Sequence, residues 1–318
     1  MRRILSSLDI GTNTVKLIVA EIINDKINIL CAVSEESKGI KKGLIQNEED
    51  VIFSIKKALK KAEDTIGLKI KKVILSVPEY GLKVTNGIGV NTINNEDNIV
   101  TNKDISRILK TCAYNKVDEN YELINIIPLE YELDENAVKD PVGLEGNKLR
   151  LKSLILSVPK DNTYSFIKTV EKCGLEVIDI MLGSIADYSL FKNEFLSENN
   201  GVIVNIGAGK TTISVFYKGL LVAENILDEA GLCVDNDISF MYKTKMKDSK
   251  KLKERFALAS TKLSSAKETT SLINKLGEKV IVNQYEISEY VSARLEEILK
   301  KVKNIINHLT KKEISYII

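Results

Sequence analysis

The chain has 318 residues, more than one ordinary domain needs and about right for two. Hydrophobic residues make up 44% of it, and 46 Lys and Arg against 44 Asp and Glu leave a net charge of +2, so the composition predicts real cores and gives no argument for a nucleic-acid partner. Its four cysteines form no CxxC pair and no run of 18 apolar residues exists, which indicates reduced thiols in a cytosolic chain that does not span a membrane.

The N-terminal stretch ILSSLDIGTNTVKLIVAEIINDKINIL predicts a three-stranded meander. Its β-branched residues and short apolar runs favour sheet over helix, and its turns carry the Asn, Asp and Gly that hairpins need. The predicted parts are, in chain order, the strand Ile4–Ile10, a turn of Gly11, Thr12 and Asn13, the strand Val15–Ile22, the hairpin turn of Asn24, Asp25 and Lys26, and a third strand.

The middle of the chain alternates predicted helices and strands. GLIQNEEDVIFSIKKALKKAEDTIG predicts an amphipathic helix, and KKVILSVPEY predicts a strand that ends at Pro78. An inserted region from Gly81 to about Val158 contains a helix, NKDISRILKTCAYNK, with Asn102 or Thr101 as its N-cap. It also contains two strands, YELINIIPLEYEL and KLRLKSLILSVP, joined by the polar link DENAVKDPVGLEG. A helix and strand in TYSFIKTVEKCGLEV and one helix in ADYSLFKNEFL follow.

The stretch GVIVNIGAGKTTISVFYKGLLVAENIL repeats the pattern of the N-terminal meander. Its predicted parts are the strand Val202–Ile206, a turn of Gly207, Ala208 and Gly209, the strand Thr211–Tyr217, a hairpin turn of Lys218 and Gly219, and a third strand. Long helices rich in Lys, Glu and Ser are predicted from about Asp235 to Leu309, and the final EISYII predicts the start of a buried strand. The repeat predicts two similar lobes.

The two glycine turns have the composition of phosphate-binding loops. Glycine lets backbone N–H groups approach phosphate oxygens closely, and the hydroxyls of Thr12 and Thr211 can add donors. Asp9, at the end of the first strand, can hold Mg²⁺ through water, and Lys16 follows seven residues later. Either turn alone is a weak motif, but two in equivalent positions predict a pair that grips a triphosphate from both sides.

The duplicated meander resembles the actin, Hsp70 and sugar-kinase ATPase superfamily, and the middle of the chain resembles FtsA, the actin-like cell-division family of bacteria. GIKKGLI and the helix after it resemble the first FtsA subdomain, and GLCVDNDI, Gly231 to Ile238, resembles the start of the outer subdomain of the second lobe. The inserted region resembles the family signature through a KDPxGxxGxxL core at Lys139, Asp140, Pro141, Gly143, Gly146 and Leu149.

The resemblance implies an α/β fold of the two-lobed, actin-like (ribonuclease H-like) type, with an FtsA-type inserted subdomain in the first lobe. The implied subdomains are 1A at 1–82, completed by about 160–185; 1C, the inserted subdomain, at 83–159; 2A at 186–234, completed by about 302–318; and 2B, the outer subdomain, at 235–301.

The resemblance also implies ATP and Mg²⁺ as cofactors. The residues that match the family's nucleotide site are Asp9, Gly11, Thr12, Asn13, Lys16, Asn205, Gly207, Ala208, Gly209, Lys210, Thr211 and Gly231, with Asp9 facing the metal. The second turn departs from the family's DIGGGTTD, since NIGAGKTT lacks both aspartates. Losing an outer carboxylate typically costs roughly 10- to 100-fold in metal affinity or activity, so we expect ATP binding with at most weak hydrolysis. Lys210 could face a phosphate or solvent.

For function, the resemblance implies a cell-division protein that polymerises through the inserted subdomain and binds the C-terminal tail of FtsZ through about 235–300. It implies a cytoplasmic protein, peripheral at the inner face of the membrane at the division site, with no nucleic-acid partner. In the family a C-terminal amphipathic helix makes the membrane contact; this chain stops before such a helix and before the adenosine-side loop, so we expect a truncated chain. Nucleotide would act as a structural switch.

Two alternatives share the superfamily. A PilM-type adaptor of pilus assembly tolerates a GAxxTT-like second turn, but the KDPVGLEG pattern argues for the FtsA family. An exopolyphosphatase-like enzyme would explain DIGTNTVKLIVAE, but it needs carboxylates that NIGAGK does not supply.

Overall fold

The structure is a computed structural model that describes residues 3–24, 26–114 and 116–318. The predicted hairpin turn at Asn24 includes Asp25, which lies outside the described residues. The chain begins with the predicted meander, a short hairpin, a helix and a strand. These elements are β1 (Arg3–Ile10), β2 (Thr14–Ile23), β3 (Lys26–Glu36), β4 (Ile40–Lys41), β5 (Leu44–Ile45), α1 (Glu48–Ile66) and β6 (Lys72–Val77).

Helix α1 starts and ends where its sequence has a cap at each end. The side chain of Asn47 accepts a hydrogen bond from the Asp50 N–H at 3.3 Å, and three acidic residues occupy the first turn, where they favour the positive end of the helix dipole. Gly67 ends the helix with a φ of 69°. Val51, Ile55 and other apolar residues of one helix face are buried, as predicted.

The inserted subdomain is a four-stranded sheet with one helix packed on it. Its elements are β7 (Lys83–Thr92), α2 (Asn102–Ala113), β8 (Tyr121–Leu133), β9 (Asn136–Val138) and β10 (Lys148–Pro159), and the sheet order is β7-β10-β8-β9. Thr101 and Asp104 form a capping box at the start of α2, so the N-cap is Thr101. The polar link predicted between the strands includes the short strand β9.

Strand β7 was not predicted from the sequence, because Gly87 and Gly89 are unfavourable in a strand. The structure shows why glycine is needed there. An added Cβ would lie 2.6 Å from the Ile155 side chain at Gly87 and 2.8 Å from the Cys112 Sγ at Gly89. Helix α2 therefore packs directly on the backbone of β7.

The chain returns to the first lobe through α3 (Lys160–Glu171) and β11 (Glu176–Leu182). The first-lobe sheet has the order β11-β6-β1-β2-β3, with β6 parallel to both β1 and β11. Its core is formed by this sheet with α1 and α3, and includes Leu8, Leu17, Ile55, Leu75 and Phe166.

The second lobe opens with α4 (Gly183–Phe191), α5 (Glu194–Glu198), β12 (Asn200–Ile206), β13 (Thr211–Tyr217) and β14 (Leu220–Leu227). The single helix predicted in ADYSLFKNEFL is wrong, because Lys192 has an extended ψ of 126° and separates α4 from α5. The antiparallel meander of β12, β13 and β14 was predicted.

The rest of the second lobe contains α6 (Gly231–Met241), α7 (Met246–Arg255), β15 (Thr269–Ile273), β16 (Lys279–Asn283), α8 (Gln284–Leu309) and β17 (Tyr316–Ile317). The prediction of long helices from about Asp235 to Leu309 was wrong over residues 269–283, where β15 and β16 form an antiparallel hairpin. The expected C-terminal strand is β17, which pairs with β12 in a sheet of order β14-β13-β12-β17. In the described part of the chain, no helix is both long and apolar enough to cross a membrane.

Candidate functional site

The first turns of the two lobes have the same geometry. The Gly11 N–H donates to the Thr14 carbonyl at 3.0 Å, and the Gly207 N–H donates to the Lys210 carbonyl at 3.0 Å. Each turn follows a strand whose last polar side chain faces a partner across the hairpin, Asp9 opposite Lys16 in one lobe and Asn205 opposite Thr212 in the other. The structure therefore confirms the duplication.

The two turns meet across a cleft of about 200 Å³ between the lobes. Gly209 lies against Thr12, whose Oγ1 also accepts a hydrogen bond from the Gly43 N–H at 2.9 Å. The predicted site residues that line this cleft are Asp9, Gly11, Thr12, Asn13, Lys16, Asn205, Gly207, Ala208, Gly209 and Lys210. Its volume is below the roughly 300–1,000 Å³ of typical small-molecule pockets.

Two predicted site residues lie behind the second turn. Thr211 is fully buried and its Oγ1 donates to the Glu229 carbonyl at 2.7 Å, so the hydroxyl that lines the cleft belongs to Thr212. The Gly231 N–H donates to the Gly207 carbonyl at 3.1 Å, and the Leu232 N–H donates to the Ala208 carbonyl at 2.8 Å. The first turn of α6 thus stabilises the backbone of the second glycine turn on the side away from the cleft.

The first turn carries a charged pair and a contact from the opposite lobe. Lys16 Nζ lies 3.5 Å from Asp9 Oδ2, with both side chains about half exposed. Lys250 Nζ, on α7, donates to Asn13 Oδ1 at 2.9 Å. This contact brings a lysine of the second lobe to the first turn.

The Lys210 side chain faces the first lobe, whereas the sequence left open whether it faces a phosphate or solvent. Its Nζ lies 3.9 Å from Glu79 Oε2 and 5.2 Å from the centre of the Tyr80 ring. Both partners belong to the first lobe, so Lys210 crosses the cleft. Glu79 is buried, and its Oε1 accepts a hydrogen bond from the Ser184 N–H at the start of α4 at 2.6 Å. This contact holds the start of α4 against the end of β6.

A second carboxyl group lies beside Glu79. Burial, with the neighbouring Glu79 as the next cause, raises the pKa of Glu224 to about 8, and Lys210 opposes the shift. The Ser214 hydroxyl donates to Glu224 Oε2 at 2.9 Å. Sequence reasoning missed Glu79 and Glu224; the available signal was a lone acid beside or within an apolar strand, in SVPEY and LLVAENIL.

Sequence reasoning also missed Asp187, on α4. Its Oδ2 accepts a hydrogen bond from Asn205 Nδ2 at 2.7 Å. Burial raises the pKa of Asp187, and the nearby Asp9 charge adds to that shift. The second turn therefore has a carboxylate within one hydrogen bond, supplied from another part of the chain.

A further set of contacts joins the lobes at the mouth of the cleft. Lys42 Nζ lies 3.0 Å from Asp228 Oδ2. The Tyr80 hydroxyl has two acceptors for its one proton, Asp228 Oδ1 at 2.9 Å and the Lys42 carbonyl at 2.7 Å. Hydrogen bonding to Lys42, and then to Tyr80, holds the pKa of Asp228 below its ordinary value. Lys42 and Tyr80 come from the first lobe and Asp228 from the second.

The cleft suits a hydrated cation better than a fully protein-bound one. In residues 3–24, 26–114 and 116–318, no three His, Cys, Asp or Glu side chains gather closely enough to hold a metal ion. Asp9 and Asn205, whose side chains both carry oxygen atoms, nevertheless line the same cleft. Mg²⁺ usually keeps several waters and takes one or two protein oxygens together with phosphate, so the residues present fit such an ion.

Two family models match separate parts of the sequence. The SHS2 domain inserted in FtsA matches residues 81–157, and the cell division protein FtsA matches residues 202–315. Together the two matches cover more than half of the chain, and the second of them includes the second glycine turn.

The chain belongs to the FtsA family.

Curated relatives carry the same name. FtsA of Streptococcus pneumoniae is 31% identical over 301 residues, which is 94% of this chain, and FtsA of Bacillus subtilis is 29% identical over 301 residues. FtsA of Escherichia coli is 27% identical over 314 residues. The chain spans 65% of the length of the pneumococcal relative and 74% of that of E. coli.

Solved structures show the fold. A PilM–PilN type IV pilus biogenesis complex superposes with a TM-score of 0.62 at 12% identity, covering 99% of this chain and 80% of that one. MreB5 of Spiroplasma citri, bound to ADP, superposes with a TM-score of 0.56 at 12% identity, covering 97% and 80%. This FtsA-family chain therefore has the predicted two-lobed actin-like fold, with the FtsA-type insertion in its first lobe.

Proposed function

We propose that this FtsA-family chain is a cell-division protein that binds ATP with Mg²⁺ between its lobes and uses the nucleotide as a structural switch. The observation that carries the proposal is the pair of equivalent glycine turns, which meet across the cleft where Gly209 lies against Thr12. Backbone N–H groups of such turns bind phosphate oxygens. Asp9 and Lys16 stand beside the first turn, and Asn205 and Thr212 beside the second.

The narrow cleft supports a switch. Entry of a nucleotide would part the lobes, and the two turns would then close on its phosphates. Parting the lobes stretches the contacts of Lys42 with Asp228, Lys210 with Glu79 and Lys250 with Asn13. Nucleotide occupancy is thereby coupled to the angle between the lobes, which is a hinge-type transition.

The second turn supports slow hydrolysis. Asn205 brings no negative charge to a hydrated metal, and loss of such a carboxylate typically costs roughly 10- to 100-fold in affinity or activity. We therefore propose tight binding with weak or no turnover. ATP turnover many times per minute by the purified chain would contradict this part of the proposal.

The proposed partner is the C-terminal tail of FtsZ, which docks on the outer subdomain, 235–301. Phe240 is 83% exposed at the end of α6, and Met241 beside it is also exposed. Arg294, on α8, lies on the same surface and is held by Asp237 at 2.6 Å and 3.0 Å. An exposed aromatic residue beside an ordered arginine is the composition of a binding hot spot.

The charge of one part of the outer subdomain, residues 243–279, supports an acidic partner. Residues 243–279 contain eleven Lys and Arg and four Asp and Glu, a net charge of +7 in a chain whose total is +2. The remainder of the chain is therefore net acidic. Such a local basic surface raises association rates with acidic segments.

Filament formation through the inserted subdomain, 83–159, and a peripheral position at the inner face of the cell membrane at the division site belong to the same proposal. The family resemblance supports both, and a C-terminal helix would make the membrane contact.

The test measures two bindings on one protein. Titration of a fluorescent ATP analogue with MgCl₂ is expected to show saturable binding, while phosphate release stays near the uncatalysed level. An FtsZ C-terminal peptide is expected to bind, whereas an N-terminal peptide of a pilus-assembly protein serves as the control. Binding of the pilus peptide instead would overturn the cell-division role and leave the nucleotide site standing.

A further inference from the structure

Asn205 occupies the place in the second lobe that Asp9 occupies in the first. Each is the polar residue one position before the last residue of its strand, and each faces its hairpin partner, Thr212 or Lys16. In the first lobe the carboxylate faces a lysine at 3.5 Å. In the second lobe the amide faces a carboxylate instead, since Asn205 Nδ2 lies 2.7 Å from Asp187 Oδ2.

This contact fixes which way the amide points. An ionised carboxylate only accepts hydrogen bonds, so the Asn205 atom beside Asp187 is the NH₂ group and not the oxygen. The amide oxygen Oδ1 therefore points away from Asp187. Across the described residues, no donor makes a hydrogen bond to this oxygen, and Asn205 is exposed at the cleft.

The orientation gives the second turn an oxygen acceptor without a formal charge. Mg²⁺ and its bound waters interact favourably with amide and carboxylate oxygens and unfavourably with an NH₂ group. Were Asn205 free to rotate, its two orientations would have opposite effects on a hydrated cation. The hydrogen bond from Asn205 to Asp187 selects one of these two orientations.

Resting on the proposed binding of Mg²⁺ and ATP, we propose that Asp187 is a positioning residue, which holds the Asn205 amide so that its oxygen faces the hydrated cation. In this arrangement the two residues supply part of what a carboxylate at the second turn would: the amide supplies the oxygen, and Asp187 supplies a charge one hydrogen bond further from the cation. Second-layer partners of this kind orient metal-facing groups in many proteins.

The charges around Asp187 agree with this role. Burial raises the pKa of Asp187, Asp9 adds to the shift, and the Asn205 hydrogen bond and Lys16 oppose it. Asp9 and Lys16 come from the first lobe, and Asn205 from β12.

The experiment compares Asp187→Ala with the exchange variant Asp187→Asn/Asn205→Asp in the full chain. The exchange keeps a hydrogen bond between the two positions with donor and acceptor reversed, and it keeps the net charge. Affinity for the fluorescent ATP analogue is measured in MgCl₂ and in EDTA, with the melting temperature as a control for folding.

We expect Asp187→Ala to weaken the affinity in MgCl₂ by roughly 10- to 100-fold. The exchange variant should restore it to within a few-fold of the wild-type value, and the affinities in EDTA should agree for all three proteins. A folded Asp187→Ala protein with unchanged Mg²⁺ dependence would overturn the inference. So would equal losses in MgCl₂ and EDTA, or an exchange variant as weak as Asp187→Ala.

The outcomes for the wild-type protein separate this inference from the proposed function. Wild-type binding that is the same in MgCl₂ and EDTA would overturn the role of Asp187 and leave nucleotide binding intact. No wild-type binding in either condition would overturn the nucleotide site itself.

Discussion

Gly209 packs so closely on Thr12 that a side chain at position 209 would clash with it. A Cβ at Gly209 would lie 2.8 Å from Thr12 Oγ1 and 3.1 Å from the Lys42 Cα. The Thr12 side chain could rotate, but Lys42 contributes a backbone atom, which moves only if the lobe moves. This contact therefore sets how closely the two turns approach.

Gly209→Ala should force the lobes apart, because overpacking a close contact costs about 1–3 kcal/mol. We expect weaker binding of the fluorescent ATP analogue, measured by titration, if the closed arrangement grips the phosphates. Gly183→Ala is the matched control, since a Cβ at Gly183 meets only the Glu79 carboxylate at 3.6 Å and more distant atoms. Equal affinities for the two variants would contradict the expected gripping role of the contact.

Lys210→Met should destabilise the chain, because it removes the cation that faces the buried Glu79. Leaving a buried acceptor without a partner costs about 1–3 kcal/mol, measurable by denaturant unfolding. Lys251→Met is the control: its ion pair with Asp248 has the same separation, 3.9 Å, but both side chains are well exposed. Exposed pairs contribute about 0–1 kcal/mol, so losses of equal size would contradict the importance of burial.

The raised pKa of Glu224 should make the stability of the folded chain depend on pH. Its pKa in the folded chain, about 8, lies above the ordinary value of 4.5, so between these values the folded chain binds more protons than the unfolded chain. The contribution of Glu224 to stability is fully present below pH 4.5 and is lost as the pH rises to about 8. Glu224→Gln should flatten the fall in melting temperature over this interval.

The charged and polar groups around Glu224, namely Glu79, Lys210, Ser184 and Ser214, stay in place in that variant. Melting curves at intervals from pH 5 to 8.5 provide the measurement, and about 2 °C per kcal/mol is the sensitivity for a chain of this size. Parallel curves for wild type and Glu224→Gln would show that Glu224 does not titrate in this range.

Phe240→Ser should abolish or strongly weaken binding of the FtsZ C-terminal peptide, because hot-spot aromatics often account for 2 kcal/mol or more, roughly 30-fold. Ile273→Ser is the control, since Ile273 is 61% exposed on the same subdomain but lines a different groove. Fluorescence anisotropy of the labelled peptide reports both. Similar affinities for the two variants would remove Phe240 from the proposed docking surface.

The hairpins and their turns could be predicted from sequence because their determinants are local. Gly11 and Gly207 sit between β-branched runs, and the pattern repeats in the same order. The strand β7 and the hairpin at 269–283 could not be predicted. Glycines in β7 and the short, polar strands of the hairpin leave no clear alternation of apolar and polar residues.

The second half of the site depends on tertiary contacts that no local pattern indicates. Asp187 lies 18 residues before Asn205 in the chain, and Glu79 reaches Lys210 only because β6 ends beside the cleft. The difference between Thr211 and Thr212 is one of strand phase: adjacent residues point to opposite faces, so a single step moves a hydroxyl from the cleft to the core.

The long strand β10 gives the inserted subdomain a mechanical role. Leu149 and Leu151, near its start, belong to the core of the inserted subdomain, whereas Leu156 and Val158, near its end, belong to the core of the first lobe. A pull on the subdomain, from a neighbouring protomer or any other anchor, is therefore transmitted along a continuous hydrogen-bonded strand rather than absorbed by a flexible linker. Displacement of the inserted subdomain is thereby coupled to the lobe that carries Asp9.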